Sequence, residues 1–162
     1  MATIVLAIAL LLCSLTAGFL FAFAVVVMPG LKALDDTGYL RAFQLVDGVI
    51  QNNQPFFMLV WGGSILAMLA ALGTGVVSLV GIDLILLLAA GVLYLGGVQL
   101  PTIAIHLPLN AKVQRINFNE IDASALHEAR VDFETRWNRW NVRRTVIAVS
   151  SVVLMLVLLV RL

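Results

Sequence analysis

Two sets of amide, hydroxyl, imidazole and carboxylate side chains stand out in an otherwise apolar chain. Gln99, Thr102, His106 and Asn110 are spaced three, four and four residues apart, and Glu134, Asn138, Asn141 and Thr145 four, three and four apart. Each spacing puts its four groups on one face of an α-helix, provided that Pro101 and Pro108 do not rotate the first register. Amides and charges are costly at the edge of hydrocarbon. Two such faces at the same depth should therefore converge, with Asn110 facing Asn141, either to bond across helices or to line a wet pocket. In the pocket reading Trp137 and Trp140 supply flat apolar walls, and Gln99, Asn110, Asn141 and Thr145 join them in holding a ligand. His106, Glu134 and Arg144 are then the candidate catalytic groups, with the His106 imidazole as general base. In the alternative reading the same groups are interhelical glue, worth about 0.6 kcal/mol per hydrogen bond. The only histidines, His106 and His127, lack paired-ligand spacing, and there is no Cys-x-x-Cys-His motif; no metal or other cofactor is implied.

These groups need a scaffold, and composition says which kind. Of 162 residues, 62% are hydrophobic and 12% charged, with a mean hydropathy of +1.05, against roughly 45–50% and 25% in soluble domains. An ordinary soluble domain and a disordered chain are both excluded. The formal net charge of +1 argues against a nucleic-acid partner. Cys13 is the sole cysteine and reads as a small apolar residue. Composition implies membrane lipids as partners, and the pocket reading a hydrophobic small molecule, with a homo-oligomer left open.

Four stretches lack Asp, Glu, Lys and Arg: Met1–Leu31, Gly48–Ile82, Leu84–Ala111 and Thr145–Val160. A spanning helix needs about 20 mostly apolar residues, so each predicts one span. The first is read as a retained helix rather than a cleaved signal, because no Lys or Arg precedes it. The second starts at Pro55, after the polar run Gln51 to Gln54, and ends near 73 in a hairpin where Gly73 and Gly75 provide the turn. The fourth uncharged stretch, 16 residues or about 24 Å, is too short alone for a core of about 30 Å. Its helix therefore begins well before the membrane. The expected spans are 3–28, 55–73, 82–107 and 123–160, with a polar loop over 111–120. Between the first two spans, Tyr39, Leu40, Phe43, Val46 and Ile50 share helical spacing with Arg41, Gln44 and Asp47 on other faces, predicting an amphipathic surface helix over 37–51. Ser14, Gly18 and Ala22 recur every four residues, as do Gly63 and Ala67, spacings that permit close helix contact.

The expected fold is all-α: a single integral membrane domain over residues 1–162. It is a four-transmembrane-helix bundle with a short amphipathic helix between the first two spans and a long fourth helix extending into the cytoplasm. Nine of the ten Lys and Arg side chains fall in the first and third connections, leaving Arg161. That bias places those connections in the cytoplasm and both termini outside. The central parts of the spans carry no chain of ionisable residues and no repeat relates two halves, so channel and transporter readings have little support.

Three segments carry a family resemblance: FLFAFAVVVMPGL (Phe19 to Leu31), QLPTIAIHLPLN (Gln99 to Asn110) and FETRWNRWNVRRT (Phe133 to Thr145). In order and along nearly the whole chain, they resemble the anthrone-oxygenase-like family of small four-helix membrane proteins. The matching motif positions are Pro29, Pro108, Leu109, Asn110, Trp137, Asn141, Arg144 and Thr145. His106 stands where that pattern often has Asn. The resemblance implies an oxidoreductase that oxidises a hydrophobic aromatic or quinone-like molecule with dioxygen in a polar pocket between the third and fourth spans. Within it, a polycyclic phenol is deprotonated against the tryptophans, and Arg144 or Asn110 stabilises the enolate-like anion. The alternative is a non-enzymatic membrane protein that binds a lipid or protein partner.

Overall fold

The structure, a computed structural model, describes residues 2–162. It contains five helices: α1 (Thr3–Leu31), α2 (Asp36–Gln51), α3 (Pro55–Ser78), α4 (Gly81–Gln114) and α5 (Ala123–Arg161). All but α2 are long and apolar enough to cross a membrane. They form the four-helix bundle of an integral membrane protein, in which α1 packs between α3 and α5, and α4 closes the ring against α5 and α3. At 39 residues α5 is about 58 Å long, far more than a bilayer core requires. Its first turns leave the bundle and pack against α2. Large apolar side chains cover the outside, Val77 being 89% and Leu66 69% exposed, as lipid contact demands.

Local chemistry sets the helix ends. Asp35 accepts a hydrogen bond from the Gly38 N–H (2.7 Å), Gln54 from Phe57 (2.5 Å) and Asp122 from Ala125 (2.9 Å), and Pro55 occupies the first turn of α3. Three prolines lie inside spans without breaking them. A proline ring removes an N–H and crowds the carbonyl four residues back. Here the backbone widens into π-helical turns over Phe23–Val27, Val92–Gln99 and Thr102–His106, just ahead of Pro29, Pro101 and Pro108. The wider turn absorbs the ring, so each helix continues.

Several sequence-based boundaries change. Helix α3 continues past Gly73 and Gly75 to Ser78, and the connection is only Leu79 and Val80. Gly75 serves packing: a Cβ there would lie 2.0 Å from Leu87 Cδ2. The turn glycine is Gly81, at φ +58°, where other residues are strained. Helix α4 runs past its expected end at 107 and into the first residues of the expected polar loop, to Gln114, where Gln44 Nε2 donates to the terminal carbonyls of Val113 and Gln114 at 3.1 and 3.2 Å. In α2 the buried face is Tyr39, Leu40, Phe43 and Asp47, while Val46 is exposed. Asp47, expected on another face, turns inward because amides on α4 meet it. Gly18 and Ala22 face outward; Ala9, Cys13 and Ala17 form the buried small-residue stripe of α1.

The core divides in two. Near the α3–α4 hairpin, Leu6, Ala9, Met68, Leu87, Tyr94 and Met155 pack tightly. At the opposite end, α2 brings Tyr39, Leu40 and Phe43 against Phe23, Phe133 and Trp137. Between these clusters lies a cavity.

Candidate functional site

The cavity measures about 490 Å³, within the range of small-molecule sites. Its apolar walls come from every helix, including Phe19 and Phe23 on α1, Phe43 on α2, Phe57 and Trp61 on α3, and Trp137 on α5. Asn53 and Phe56 line it yet are exposed, so it opens to the outside near the α2–α3 junction. It is thus enclosed by five helices: besides the third and fourth spans, between which the sequence places the pocket, α1, α2 and α3 contribute most of the aromatic wall.

Helix α4 lays Gln99, Thr102, His106 and Asn110 along one side. Even with its two π-helical segments, this helix keeps the four polar groups together. On α5 the inward stripe is Trp137, Asn141 and Arg144, spaced four and three. Glu134, Trp140 and Thr145 do not line the cavity, contrary to the sequence-based grouping. Glu134 is held by Arg130 one turn earlier (3.2 Å). Trp140 is half-buried beneath the Arg143 guanidinium, 5.0 Å from its ring centroid. The Thr145 hydroxyl donates back to the Asn141 carbonyl at 2.8 Å.

Arg144 is the pivot of the polar wall. It is 5% exposed and donates through Nη1 to Thr102 Oγ1 (2.8 Å) and through Nη2 to Asn141 Oδ1 (2.9 Å). Among the described residues no carboxylate reaches it, and its Nε has no hydrogen-bond partner. His106, 2% exposed, leaves both ring nitrogens unpartnered and packs edge-on against Trp137 at 5.1 Å. Gln99 accepts from Trp61 Nε1 at 3.0 Å, and its Nε2 is unpartnered. Four nitrogen atoms on three residues lining one cavity are therefore buried without partners. Native structures rarely leave buried polar groups this way except where a ligand or water meets them.

The amides behave differently. Asn141 Nδ2 donates to the Leu20 carbonyl (3.1 Å), tying α5 to α1. Asn110 accepts from Trp137 Nε1 (2.9 Å) and donates to Asp47 Oδ1 (2.7 Å), joining α4, α5 and α2. The two asparagines share the cavity but do not bond each other, as facing groups would; each finds a nearer partner. Asp47, 3% exposed, also accepts from Gln114 (2.8 Å) and Gln51 (3.2 Å). Sequence reasoning missed Asp47 and Trp61. The available signals were the four-residue spacing of Phe43, Asp47 and Gln51, and Trp61's place as the sole tryptophan inside its span. Among the described residues no three His, Cys, Asp or Glu side chains form a group able to hold a metal.

No curated protein and no solved structure is significantly similar to the chain. The profile of the family described as anthrone oxygenase matches residues 50–154. That stretch starts at the end of α2 and includes α3, α4 and most of α5, and with them Trp61, Gln99, His106, Trp137, Asn141 and Arg144. Covering well over half of the sequence, the match shows that the chain belongs to the anthrone oxygenase family.

Proposed function

We propose that this oxygenase-like membrane protein binds a flat, hydrophobic aromatic ketone or phenol in the five-helix cavity and promotes its oxidation by dioxygen. The observation that carries the reading is the meeting of aromatic walls with unpartnered nitrogens of Gln99, His106 and Arg144. A purely structural cluster would be expected to pair them, as Asn110 and Asn141 are paired.

For an anthrone the chemistry is proton removal from the methylene opposite the ketone, giving an extended phenolate-like anion. A neutral imidazole has one lone pair, so His106 is the base in this reading. Arg144, with no carboxylate of its own, is the cation that offsets the charge of the anion. The carbanion then reduces dioxygen, and the balance is anthrone plus dioxygen to anthraquinone plus water. Glu134 has no part, since Arg130 occupies it outside the cavity. The chain sits with both polar connections in the cytoplasm, as its Lys and Arg distribution favours; reporter fusions at each terminus test this, and activity from a cytoplasmic-side reporter overturns it.

The test is anthrone oxidation by the purified protein in detergent micelles, followed by oxygen uptake and anthraquinone absorbance. Acceleration over the spontaneous reaction is expected, with His106→Phe lowering the rate about 10²- to 10⁴-fold. A rate equal to that of empty micelles overturns the oxygenase reading.

A further inference from the structure

The cavity contains one buried cation and one buried anion that do not meet. On one side, Arg144 donates to Thr102. On the other, Asp47 accepts from Asn110. Thr102 and Asn110 are eight residues apart on α4, about 12 Å at 1.5 Å per residue and somewhat less through the π-helical turn. Both charges are nearly inaccessible, at 5% and 3% exposure, and both line the cavity. Neither has an oppositely charged partner within salt-bridge distance among the described residues. A buried charge left unpaired is strongly unfavourable, and two charges this far apart do little to neutralise each other.

Each group also keeps bonding capacity in reserve. Arg144 Nε is unpartnered, with the free Nε2 of Gln99 and the free ring nitrogens of His106 lining the same cavity. Asp47 accepts one amide on Oδ1 and two on Oδ2, which fills three of a carboxylate's roughly four acceptor sites.

We propose that the cavity is a two-ended site, in which Arg144 takes an anionic or strongly accepting oxygen and Asp47 takes an O–H donor from the far end of the same ligand. The ligand class is thus an elongated aromatic compound with an acidic oxygen at one end of its long axis and a hydroxyl at the other. This rests on the reading of the cavity as a small-molecule site and adds which ligands it prefers and how they lie.

Three probes differing only in end groups test it: anthraquinone, 2-hydroxyanthraquinone and 2,6-dihydroxyanthraquinone. Binding to the purified full-length protein is read by quenching of tryptophan fluorescence, since Trp61 and Trp137 line the cavity. Each added hydroxyl should tighten binding by roughly tenfold or more, the effect of a hydrogen bond to a charged group. Asp47→Asn should bring the ratio between the dihydroxy and monohydroxy compounds close to one. Arg144→Met should also bring the ratio between the dihydroxy and monohydroxy compounds close to one, because a single hydroxyl can then be taken by Asp47. Equal binding of all three probes by the unaltered protein overturns the two-ended site while leaving the aromatic cavity standing; no binding of any probe overturns both. A dihydroxy preference that persists in Asp47→Asn overturns the assignment of Asp47. If that variant does not fold, the ranking in the unaltered protein still decides.

Discussion

In the half of the bundle nearest the α3–α4 hairpin, Ser64, Tyr94 and Ser151 are fully buried, and each is paired. Tyr94 donates to Ser64 Oγ at 2.6 Å, Ser64 to the Trp61 carbonyl at 2.7 Å, and Ser151 to the Ala90 carbonyl at 2.8 Å. In the half nearest α2, Gln99, His106 and Arg144 are almost as deeply buried yet leave four nitrogens without partners. The apolar packing differs in the same sense. The hairpin half is closed by small residues and interlocking aliphatics, whereas in the other half large aromatic rings surround space they do not fill. One half gains stability from complete pairing and close packing, and that stability supports a second half whose polar groups remain available. Sites commonly give up local stability for function in this manner.

The sharpest way to break this contrast is to open the closed half. Met155 is fully buried there, so Met155→Ala should cost about 2–5 kcal/mol of stability, because the removed atoms leave a hole the neighbours cannot fill. Denaturant unfolding in micelles measures it. A cost below about 1 kcal/mol would mean that the hairpin half is no better packed than the cavity half. Ser64→Ala should have the next largest effect, about 1–3 kcal/mol, because it leaves the Tyr94 hydroxyl buried without its acceptor. Adding Tyr94→Phe should recover much of the loss, and strictly additive costs in the double-mutant cycle would break the pairing argument.

The parts of this contrast legible from sequence follow a physical rule. The four spans announce themselves through length and apolarity, and Gln99, Thr102, His106 and Asn110 through helical spacing, because both are properties of one helix. What could not be read depends on two helices at once. Gly75 looks like a turn until Leu87 is seen against it. Asp47 looks solvated until Asn110 and Gln114 are placed opposite. The inward stripe of α5 could be 134, 138, 141 and 145 or 137, 141 and 144 by spacing alone. Only contact with α1 and α4 selects the second.

His106 is where stability and activity should respond with opposite signs. His106→Leu removes two unpartnered nitrogens and puts an aliphatic group beside Trp137. Its effect on unfolding should lie between zero and about 1 kcal/mol of added stability, since removing an unsatisfied buried polar group relieves a desolvation cost. Anthrone oxidation should be lost in the same variant. A large destabilisation would instead make His106 a structural group, and the unpartnered half would then resemble the closed one.

The smallest expected effect concerns the fastening of α2 over the open half. Arg130 donates to the carbonyls of Lys32 and Leu34 and to Asp36, and stacks on Tyr39 at 4.6 Å, while His127 meets Asp36 at 2.8 Å. Burial raises the Tyr39 phenol above its ordinary value, so the ring beneath the guanidinium stays neutral. The Asp36 carboxyl is held below its ordinary value, first by the hydrogen bond with His127 and then by Arg130. A lowered carboxyl pKa in the folded state contributes stability that is present above the unfolded value of about 3.9 and is lost as pH falls through the lowered folded value. Melting in micelles should therefore shift downward between about pH 5 and pH 3 by more in the unaltered protein than in Asp36→Asn. Because the pair is exposed and screened, added salt should shrink that difference. An identical acid shift in the variant would mean that the fastening of α2 rests on Arg130 and the Tyr39, Leu40 and Phe43 face alone.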